Sequence, residues 1–500
     1  MKNINDFCID RDLSPEEQNK ILIKYIDEFY NSKIFSEQIV YLSQTFDIPT
    51  NIFEQDVKNY LVTNFKNSSG KFFPYFNFYS SLKSIFKNLA LYVWILFFED
   101  KKIKKQSFYE VILDDISHTD EAFRYNHFLK LFKNYLIVSR VNLPDKKNFI
   151  LFDNYKNLTL KNSLKKKKLK IFFYIIKLFF LSLKDRANYQ DIIFFLIRFI
   201  IKYESIFSNH CSYYLTQERQ FTTSSLKNFL FKKNGGFKTF IFQRNIAQLN
   251  GPGMYTFADF FFSMGNKSHL QYLKCKSKFE QIYPVGSFFM NIVKFKKLTK
   301  SNIPKYDLLH IASNMNYFQD THSKFLDDWI EQFSWLATLN KKNPGLKICI
   351  KGRKYDGLRK NKKFMDILKN SPIIFIDEHY EDQNNKKFKY DSSHSYDYAS
   401  NAKIICTWQS TMGFEMMSLN KPSIFLDPYS RNTAHLPNEK HYNDVKVISY
   451  NEFENFVFKN LNKKDYKSYL NTDEYCLDSS NTIEKTFEIL MKNLKNKKNH

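Results

Sequence analysis

Residues 402–428 decide the fold, and they read AKIICTWQSTMGFEMMSLNKPSIFLDP. The apolar run 402–407 predicts a buried strand, and residues 411–419 predict a helix that ends just before a Lys-Pro pair. Residues 423–426 predict the next strand. A strand, a helix and a second strand in this order form the repeating unit of a parallel sheet that carries helices on its faces.

The predicted helix begins with small residues, and these suggest an anion site. Ser410, Thr411 and Gly413 stand at its first turn, where backbone N–H groups lack helical partners and glycine lets an anion approach. The helix dipole favours phosphate at this end. Glu415, one turn further on, can reach the hydroxyl pair of a ribose. The competing interpretation is that Ser410 or Thr411 only caps the helix.

The same alternation of strands and helices extends upstream to about Thr216. The predicted strands are 238–242, 255–263, 306–312, 346–350 and 373–376, and the predicted helices are 226–233, 268–275, 324–338, 361–369 and 395–400. Residues 1–140 are mostly helical in pattern, with one buried strand at 109–113. The fold class that we expect is α/β, with two Rossmann-like domains behind a helical N-terminal extension.

This pattern divides the chain into four segments. Residues 1–150 are expected to be the helical N-terminal region, and residues 151–295 the first Rossmann-like domain. Residues 296–480 are expected to be a second, nucleotide-binding Rossmann-like domain, and residues 481–500 a closing helix with a basic tail. The polar, lysine-rich stretch before the second domain reads as a linker.

The composition narrows the class of partner. The 500 residues carry a net charge of +25 and are 18% aromatic, which excludes disorder over most of the length. Such a charge favours a polyanionic partner: nucleic acid, an anionic membrane or a phosphate-bearing substrate. The six cysteines are scattered, so they form no zinc or redox motif, and they suit a reducing cytoplasm. No apolar run follows the N-terminus as a secretory signal would.

Residues 156–207, within the first domain, form a basic amphipathic helical segment. The apolar run 171–183 is too short to span a bilayer, which requires about 20 residues. The lysines for which we expect contact with a membrane surface are Lys165, Lys166, Lys167, Lys168, Lys170 and Lys177. One interpretation is a helical pair that lies on anionic lipid. The other is a pair of core helices preceded by a basic loop.

The motif S-T-x-G-x-E, followed by a helix, a K-P pair and an apolar strand, resembles the donor-site segment of GT-B glycosyltransferases. The resemblance is strongest to proteins of bacterial capsule and surface-polysaccharide synthesis and to the CDP-glycerol glycerophosphotransferase-like group. It extends over about 216–430, through 238–245 (KTFIFQRN), 258–265, the turn 285–287 (VGS) and 350–353 (IKGR). It implies a GT-B-like arrangement of the two domains.

The resemblance also implies roles for individual residues. Ser410, Thr411 and Gly413 would bind the donor phosphates, and Glu415 would bind the ribose. Further donor-binding candidates, at the carboxyl ends of predicted strands, are Lys351, Arg353 and Asn314. The two cations among them would offset charge on a leaving nucleoside diphosphate.

The catalytic group is less well defined by the sequence. Arg244 stands where the relatives often have a histidine, so it becomes a candidate itself. A general base for the acceptor hydroxyl would come from Asp114, Asp115, Glu218, Asp259 or His269, although Asp259 reads as structural. His310 reads as a core histidine. Because no D-x-D pair occurs in a suitable loop, we expect no metal requirement.

These observations predict a glycosyltransferase that moves a sugar from a UDP-, CDP- or CMP-linked donor to a glycan or lipid-linked acceptor of a surface polysaccharide. It would be cytoplasmic and peripheral on the inner membrane face. The alternatives are a polyol-phosphate transferase of the CDP-glycerol type, a non-catalytic scaffold of glycan assembly and, in another class, a nucleic-acid-binding protein. The last is disfavoured because the aromatic residues recur with the periodicity of a core.

Overall fold

The structure, a computed structural model, describes most of the chain. The described residues are 15–64, 82–83, 85–87, 89–90, 108–116, 125–143, 149–151, 168–185, 189–207, 211–215, 225–244, 257–274, 277–295, 305–312, 323–352, 361–376, 393–408, 410–430, 445–463 and 472–498. These residues fall into two compact units. One comprises Met1–Phe242, Leu249–Phe261 and Tyr272–Ile282, and the other comprises Gln243–Gln248, Phe262–Gln271 and Tyr283–His500.

The first unit contains a helical layer and most of the first sheet. Its helices are α1 (Pro15–Tyr30), α2 (Lys33–Phe46), α3 (Thr50–Asn64), α4 (Lys168–Asp185), α5 (Tyr189–Ile206) and α6 (Ser225–Lys233). Apolar side chains from all six helices meet in one core with residues of the sheet. Helix α5 is buried along nearly its whole circumference, so its Ile, Leu and Phe side chains pack against other parts of the core on every side.

The first sheet has seven strands in the order β3-β2-β1-β4-β5-β6-β7. They are β1 (Tyr109–Ile116), β2 (Tyr135–Ser139), β3 (Phe149–Leu151), β4 (Cys211–Leu215), β5 (Lys238–Phe242), β6 (Phe257–Ser263) and β7 (Lys278–Pro284). Strand β1 pairs in parallel with β2 and with β4, and β4 pairs in parallel with β5. The order reverses between β1 and β4, as in a doubly wound sheet.

The second sheet has six strands in the order β10-β9-β8-β11-β12-β13, and all its pairs are parallel. They are β8 (Tyr306–Ile311), β9 (Ile348–Lys351), β10 (Ile374–Ile376), β11 (Ala402–Thr407), β12 (Ser423–Leu426) and β13 (Lys446–Val447). Each of the four longer strands has an almost continuously buried run, which parallel strands covered on both faces require.

Further helices of the described residues accompany the two sheets. They are α7 (Leu270–Lys274), α8 (Phe288–Phe295), α9 (Ser323–Lys342), α10 (Lys362–Lys369), α11 (Ser393–Asn401), α12 (Thr411–Ser418), α13 (Tyr450–Leu461) and α14 (Thr482–Lys498). Trp329 and Phe333 of α9 and Phe453 of α13 are fully buried in the core of the second sheet. In the part of the chain that the structure describes, no helix is both long and apolar enough to cross a bilayer.

The two sheet orders confirm the predicted fold class, two Rossmann-like domains with helices at the N-terminus. Two details differ from the predicted segments. Strand β1 contains the strand predicted at 109–113, but β2 and β3 also lie within 1–150, where we expected helices, and all three belong to the first sheet. The second unit also includes 243–248 and 262–271, so the units are not continuous segments that meet at 295. Contacts between residues distant in sequence set these limits, and local patterns do not reveal them.

Candidate functional site

The predicted phosphate-binding segment follows β11 at the reversal point of the second sheet. Strands β8 and β11 are neighbours there, and their carboxyl ends lie side by side, with Ile311 opposite Thr407. The hydroxyl of Thr407 donates a hydrogen bond to the carbonyl oxygen of Ile311 over 2.9 Å. Open α/β sheets bind their ligands outside the carboxyl ends of the strands at such a reversal. The sheet order therefore puts Ser410 and Thr411 where a ligand crevice is expected.

The first turn of α12 is capped by residues of its own loop. The Ser410 Oγ accepts a hydrogen bond from the backbone N–H of Met412 over 3.3 Å, with Ser410 in an extended conformation. The backbone N–H of Ser410 donates to Thr407 Oγ1 over 3.2 Å, and that of Gly413 donates to the carbonyl of Ser410. Ser410 thus caps the helix, as the competing interpretation expected. The cap bond is long for a hydrogen bond, and it is the bond that a bound phosphate oxygen could replace.

Gly413 allows close packing between α12 and the sheet, and it does not open a path for an anion. A Cβ at this position would lie 2.8 Å from the ring of Phe425 and 3.2 Å from the methyl group of Thr407. Both atoms belong to the sheet beneath the helix. The glycine therefore lets α12 pack closely on β11 and β12, and it faces the interior, not the crevice where the sequence suggested a phosphate contact.

Glu415 is buried and binds hydroxyl groups of the protein itself. Its carboxylate accepts hydrogen bonds from the hydroxyl of Ser287 and, over 2.8 Å, from that of Tyr396. Burial raises the pKa of Glu415, while these two hydrogen bonds lower it. The side chain is only 2% exposed. Both oxygens of the carboxylate thus point into the fold, and the ribose contact of Glu415 stays a prediction.

The turn that carries Ser287 is fixed from the other side by the C-terminal segment. The backbone N–H of Ser287 donates to Ser479 Oγ over 2.7 Å, and Thr482 Oγ1 donates to the carbonyl of Val285 over 2.9 Å. Gly286 adopts φ +98°, a conformation that favours glycine, and a Cβ there would meet Thr482. Residues of the C-terminal segment thus hold the V-G-S turn in place by hydrogen bonds. Glu415 connects the same turn to α12 through its hydrogen bond with Ser287.

Lys421, of the K-P pair, holds the end of α11. Its ammonium donates hydrogen bonds to the carbonyls of Ala399 and Ala402, each over 2.8 Å, and to that of Ser400. A cation suits the C-terminal end of a helix, where carbonyl groups lack partners. Burial lowers the pKa of Lys421 to about 8. Because α11 also carries Tyr396, Lys421 and Glu415 together fix this helix to the rest of the second unit.

Two cations proposed from the sequence lie on aromatic rings. Lys351, at the carboxyl end of β9, is 1% exposed, and its Nζ lies 5.6 Å from the centre of the Tyr398 ring. The guanidinium carbon of Arg244 lies 5.6 Å from the centre of the Phe289 ring. Lys351 is thus turned into the fold, whereas Arg244 is half-buried. Arg353, Asn314 and Glu218 lie outside the described residues, as do Lys165, Lys166 and Lys167.

Asp114 lies in a closed polar cluster and not in an open site. Its carboxylate forms an ion pair of 2.7 Å with Lys227 and accepts hydrogen bonds from the hydroxyls of Tyr203 and Tyr214. All four side chains are buried. The general-base role of Asp114 stays a prediction; in this arrangement its carboxylate has these three donors around it and no exposure to solvent.

The remaining titratable candidates take structural positions. Asp259 accepts hydrogen bonds from the backbone N–H and the hydroxyl of Thr239 and pairs with Lys232, so it ties β6 to β5 and α6. His310 is buried, and its Nε2 lies 3.0 Å from Gln332 Oε1. Burial lowers the pKa of His310 to about 4 and also lowers that of the half-buried His269. The side chain of Asp115 is not among those described.

Within the described residues, no three His, Cys, Asp or Glu side chains gather in a way that could hold a metal ion. Four cysteines, Cys211, Cys349, Cys406 and Cys476, are free and buried. Burial raises the pKa of each thiol. Thiol nucleophiles need the opposite shift and some exposure, so none of these four is a catalytic nucleophile.

The interactions around Glu415 were missed by sequence reasoning. Ser287, Tyr396 and Ser479 come from three distant segments, and of the three only Ser287 lies in a motif that the sequence analysis quoted. The resemblance of the V-G-S turn to the related proteins was the one available signal. It marked the position of the turn, but it did not show that the turn contacts α12.

No protein-family profile matches this chain, and no curated protein matches its sequence. Solved structures do match. A UDP-GlcNAc 2-epimerase of Neisseria meningitidis bound to UDP-GlcNAc aligns over 76% of this chain and 100% of its own, with 11% identity and a TM-score of 0.42. The MnaA–UDP structure of S. aureus aligns over 77% and 97%, with 12% identity and a TM-score of 0.44.

The wall teichoic acid polymerase TagF aligns over 90% of this chain and 99% of its own, with 13% identity and a TM-score of 0.43. A variant of that polymerase was also solved with CDPG. Because all three TM-scores lie below 0.5, the strand orders, and not these likenesses, define the fold.

Proposed function

We propose that this protein is a nucleotide-donor transferase, and specifically a glycosyltransferase that transfers a sugar from a UDP-, CDP- or CMP-linked donor to a surface-polysaccharide acceptor. One observation carries the proposal: the S-T-x-G segment begins a helix at the reversal point of a fully parallel six-stranded sheet, between β8 and β11. That is where the crevice of an open α/β sheet accepts a phosphate-bearing ligand.

The donor phosphates would bind at the beginning of α12. A phosphate oxygen would take the backbone N–H of Met412 in place of Ser410 Oγ, whose bond to it is 3.3 Å long. The half-buried hydroxyl of Ser410 would then donate to the same phosphate, and Thr411 stays the second hydroxyl predicted for this site. The helix dipole stabilises negative charge there, and a net charge of +25 draws an anionic donor toward the protein.

Further parts of the proposal rest on the sequence. Arg353 and Asn314 would line the donor site, since in the sequence they come shortly after β9 and β8. Arg244 would approach the reacting phosphate as a cation. The acceptor would be a glycan or lipid-linked chain at the cytoplasmic face of the membrane. A polyol phosphate is the second candidate for the transferred group, because the same donor-phosphate site suits a CDP-linked polyol.

A single substitution separates the phosphate site from the helix cap. Ser410→Asp keeps a good N-cap residue and introduces a carboxylate where the phosphate should bind. We expect the affinity for UDP, CDP and their sugar conjugates to fall about tenfold or more in calorimetric titrations, because like charges repel at short range. Transfer from a nucleotide-sugar panel should fall in parallel.

Ser449 provides the matched control. It caps α13 in the same unit, with its Oγ accepting from the N–H of Glu452 over 3.3 Å. Ser449→Asp should therefore leave nucleotide affinity unchanged. Equal nucleotide affinity in the wild type and Ser410→Asp, with both folded, would remove the donor site from α12 and the proposal with it.

A further inference from the structure

Helix α4 has two apolar faces, and only one of them is buried in the core. The buried face carries Ile171, Tyr174, Ile175 and Leu178. The opposite face is exposed although it is apolar. Its members are Leu169 (72% exposed), Phe173 (64%), Phe180 (64%) and Leu183 (42%). Single exposed apolar residues are ordinary, but a continuous stripe of this kind marks an interaction surface.

The stripe is bordered by a row of lysines. At 3.6 residues per turn, the four apolar residues span an arc of about 80° around the helix axis, and Lys170, Lys177 and Lys184 follow directly on one side. All three lysines are exposed. Among the exposed side chains that the structure describes on α4, none is acidic. The neighbouring α5 has no such face, since it is buried on nearly all sides.

We propose that the exposed face of α4 binds an anionic lipid surface, with the helix lying flat. The rings of Phe173 and Phe180 would enter the boundary between headgroups and acyl chains, and the ammonium groups of Lys177 and Lys184 would contact lipid phosphates. The helix has 18 residues and is about 27 Å long, and in this proposal it lies along the surface.

The charge and the apolar stripe together select this partner. A soluble polyanion would satisfy the lysines but would leave two phenyl rings in water, whereas a lipid surface accommodates both. Helix α5 is a core helix, so the proposal concerns α4 alone and not a helical pair.

This inference deepens the proposed function, because it names the surface at which the acceptor would be met. The lipid contact itself is independent of the donor chemistry, so it is measured without any nucleotide. The full chain is sedimented with vesicles of phosphatidylcholine alone and of phosphatidylcholine mixed with phosphatidylglycerol. We expect binding to the mixed vesicles, weakened by salt.

Two double variants separate the two parts of the surface. Phe173→Ser with Phe180→Ser should lower partition into anionic vesicles about tenfold or more, through the lost apolar burial. Lys177→Glu with Lys184→Glu should lower it about twentyfold or more, because each lysine near an anionic surface contributes about fivefold. All four side chains are exposed, so far-ultraviolet circular dichroism and thermal unfolding should match the wild type.

The matched control lies at the end of α13, where Phe458 and Lys463 are also exposed. Phe458→Ser with Lys463→Glu should leave vesicle binding unchanged. Absence of wild-type binding to anionic vesicles, an equal loss in the control, or full binding by the phenylalanine variant would each overturn the proposal. Nucleotide titrations without vesicles should be unaffected in the α4 variants, so failure of the donor site would be seen separately.

Discussion

Thr407 and Ile311 join the two strands that flank the reversal of the second sheet, through a hydrogen bond of 2.9 Å from the threonine hydroxyl to the isoleucine carbonyl. The same hydroxyl accepts the backbone N–H of Ser410 over 3.2 Å. Thr407 is buried, so both bonds lie away from solvent. One side chain thereby fixes the distance between the carboxyl ends of β8 and β11 and the direction in which α12 begins.

We expect Thr407→Val to weaken nucleotide binding. Valine keeps the shape of the side chain but removes both hydrogen bonds, so the loop before α12 loses its anchor, and stability should fall by about 1–2 kcal/mol. Calorimetric titration with UDP and CDP should show a several-fold loss of affinity. Thr486→Val is the control, since its hydroxyl is also buried and donates to the carbonyl of Thr482 in α14. If both variants lost affinity equally, Thr407 would have no special role at the site.

Glu415 should make stability dependent on pH. Because burial raises the pKa of its carboxyl above the ordinary 4.5, the folded state retains a proton that the unfolded state releases. The free energy of unfolding should therefore decrease as pH rises from 4.5 through the raised pKa and then level off. Glu415→Gln removes this titration, and chemical unfolding followed by tryptophan fluorescence at several pH values measures it. An unchanged pH profile in Glu415→Gln would contradict the assignment.

The variant Glu415→Ala separates a positioning role from a ribose contact. It leaves the hydroxyls of Ser287 and Tyr396 buried without their acceptor, which should cost about 2–4 kcal/mol of stability. Glu415→Gln keeps an acceptor for one of them and should bind nucleotide almost as the wild type does. A large loss of nucleotide affinity in a fully stable Glu415→Gln protein would show that the carboxylate turns outward to the ribose.

Asp114 and Lys227 should behave as a structural pair. Asp114→Asn leaves a buried ammonium without its counter-charge and should cost about 3–5 kcal/mol. Lys227→Met alone should cost a similar amount, and Asp114→Asn combined with Lys227→Met should cost much less than the sum. Thermal unfolding of the three proteins completes a double-mutant cycle. Additive losses would show that the two charges do not depend on one another.

His310 should make the second unit sensitive to acid. Burial holds its pKa near 4, against an ordinary 6.5, so the unfolded state binds a proton first as pH falls. Stability should decline by about 3 kcal/mol between these two values, since each unit of pKa corresponds to about 1.4 kcal/mol. His310→Gln should lose this dependence, and His127→Gln in the first unit should keep it. The measurement is chemical unfolding at pH 7, 5.5 and 4.

The sequence predicted most of the second sheet because its signals are local. Continuous apolar runs such as 402–407 and 423–426 correspond to β11 and β12 within a residue. Strand β3 has three residues and half-buried positions, so nothing in its pattern distinguishes it from a loop. The extent of the first sheet depends on pairing between β1 and β2, which only the folded chain reveals.

Functional residues were harder to predict, because the same residue type serves opposite purposes. Gly413 suggested an open approach for phosphate, yet the close neighbour that requires a glycine is Phe425, on the inner side of the helix. Asp114, at the end of a strand, has the sequence position of a catalytic carboxylate. Lys227, more than a hundred residues away, turns it into half of an ion pair. The neighbour of Gly413 and the ion pair of Asp114 both depend on residues distant in sequence, so the sequence pattern does not reveal them.

Crystals soaked separately with UDP, CDP and CMP test the central claim most directly. We expect phosphate density at the first turn of α12, with an oxygen about 3 Å from the backbone nitrogen of Met412 and with the Ser410 Oγ displaced from it. Phosphate density elsewhere on the protein, or an intact Ser410 cap beside an ordered nucleotide, would contradict the claim that this helix binds the donor.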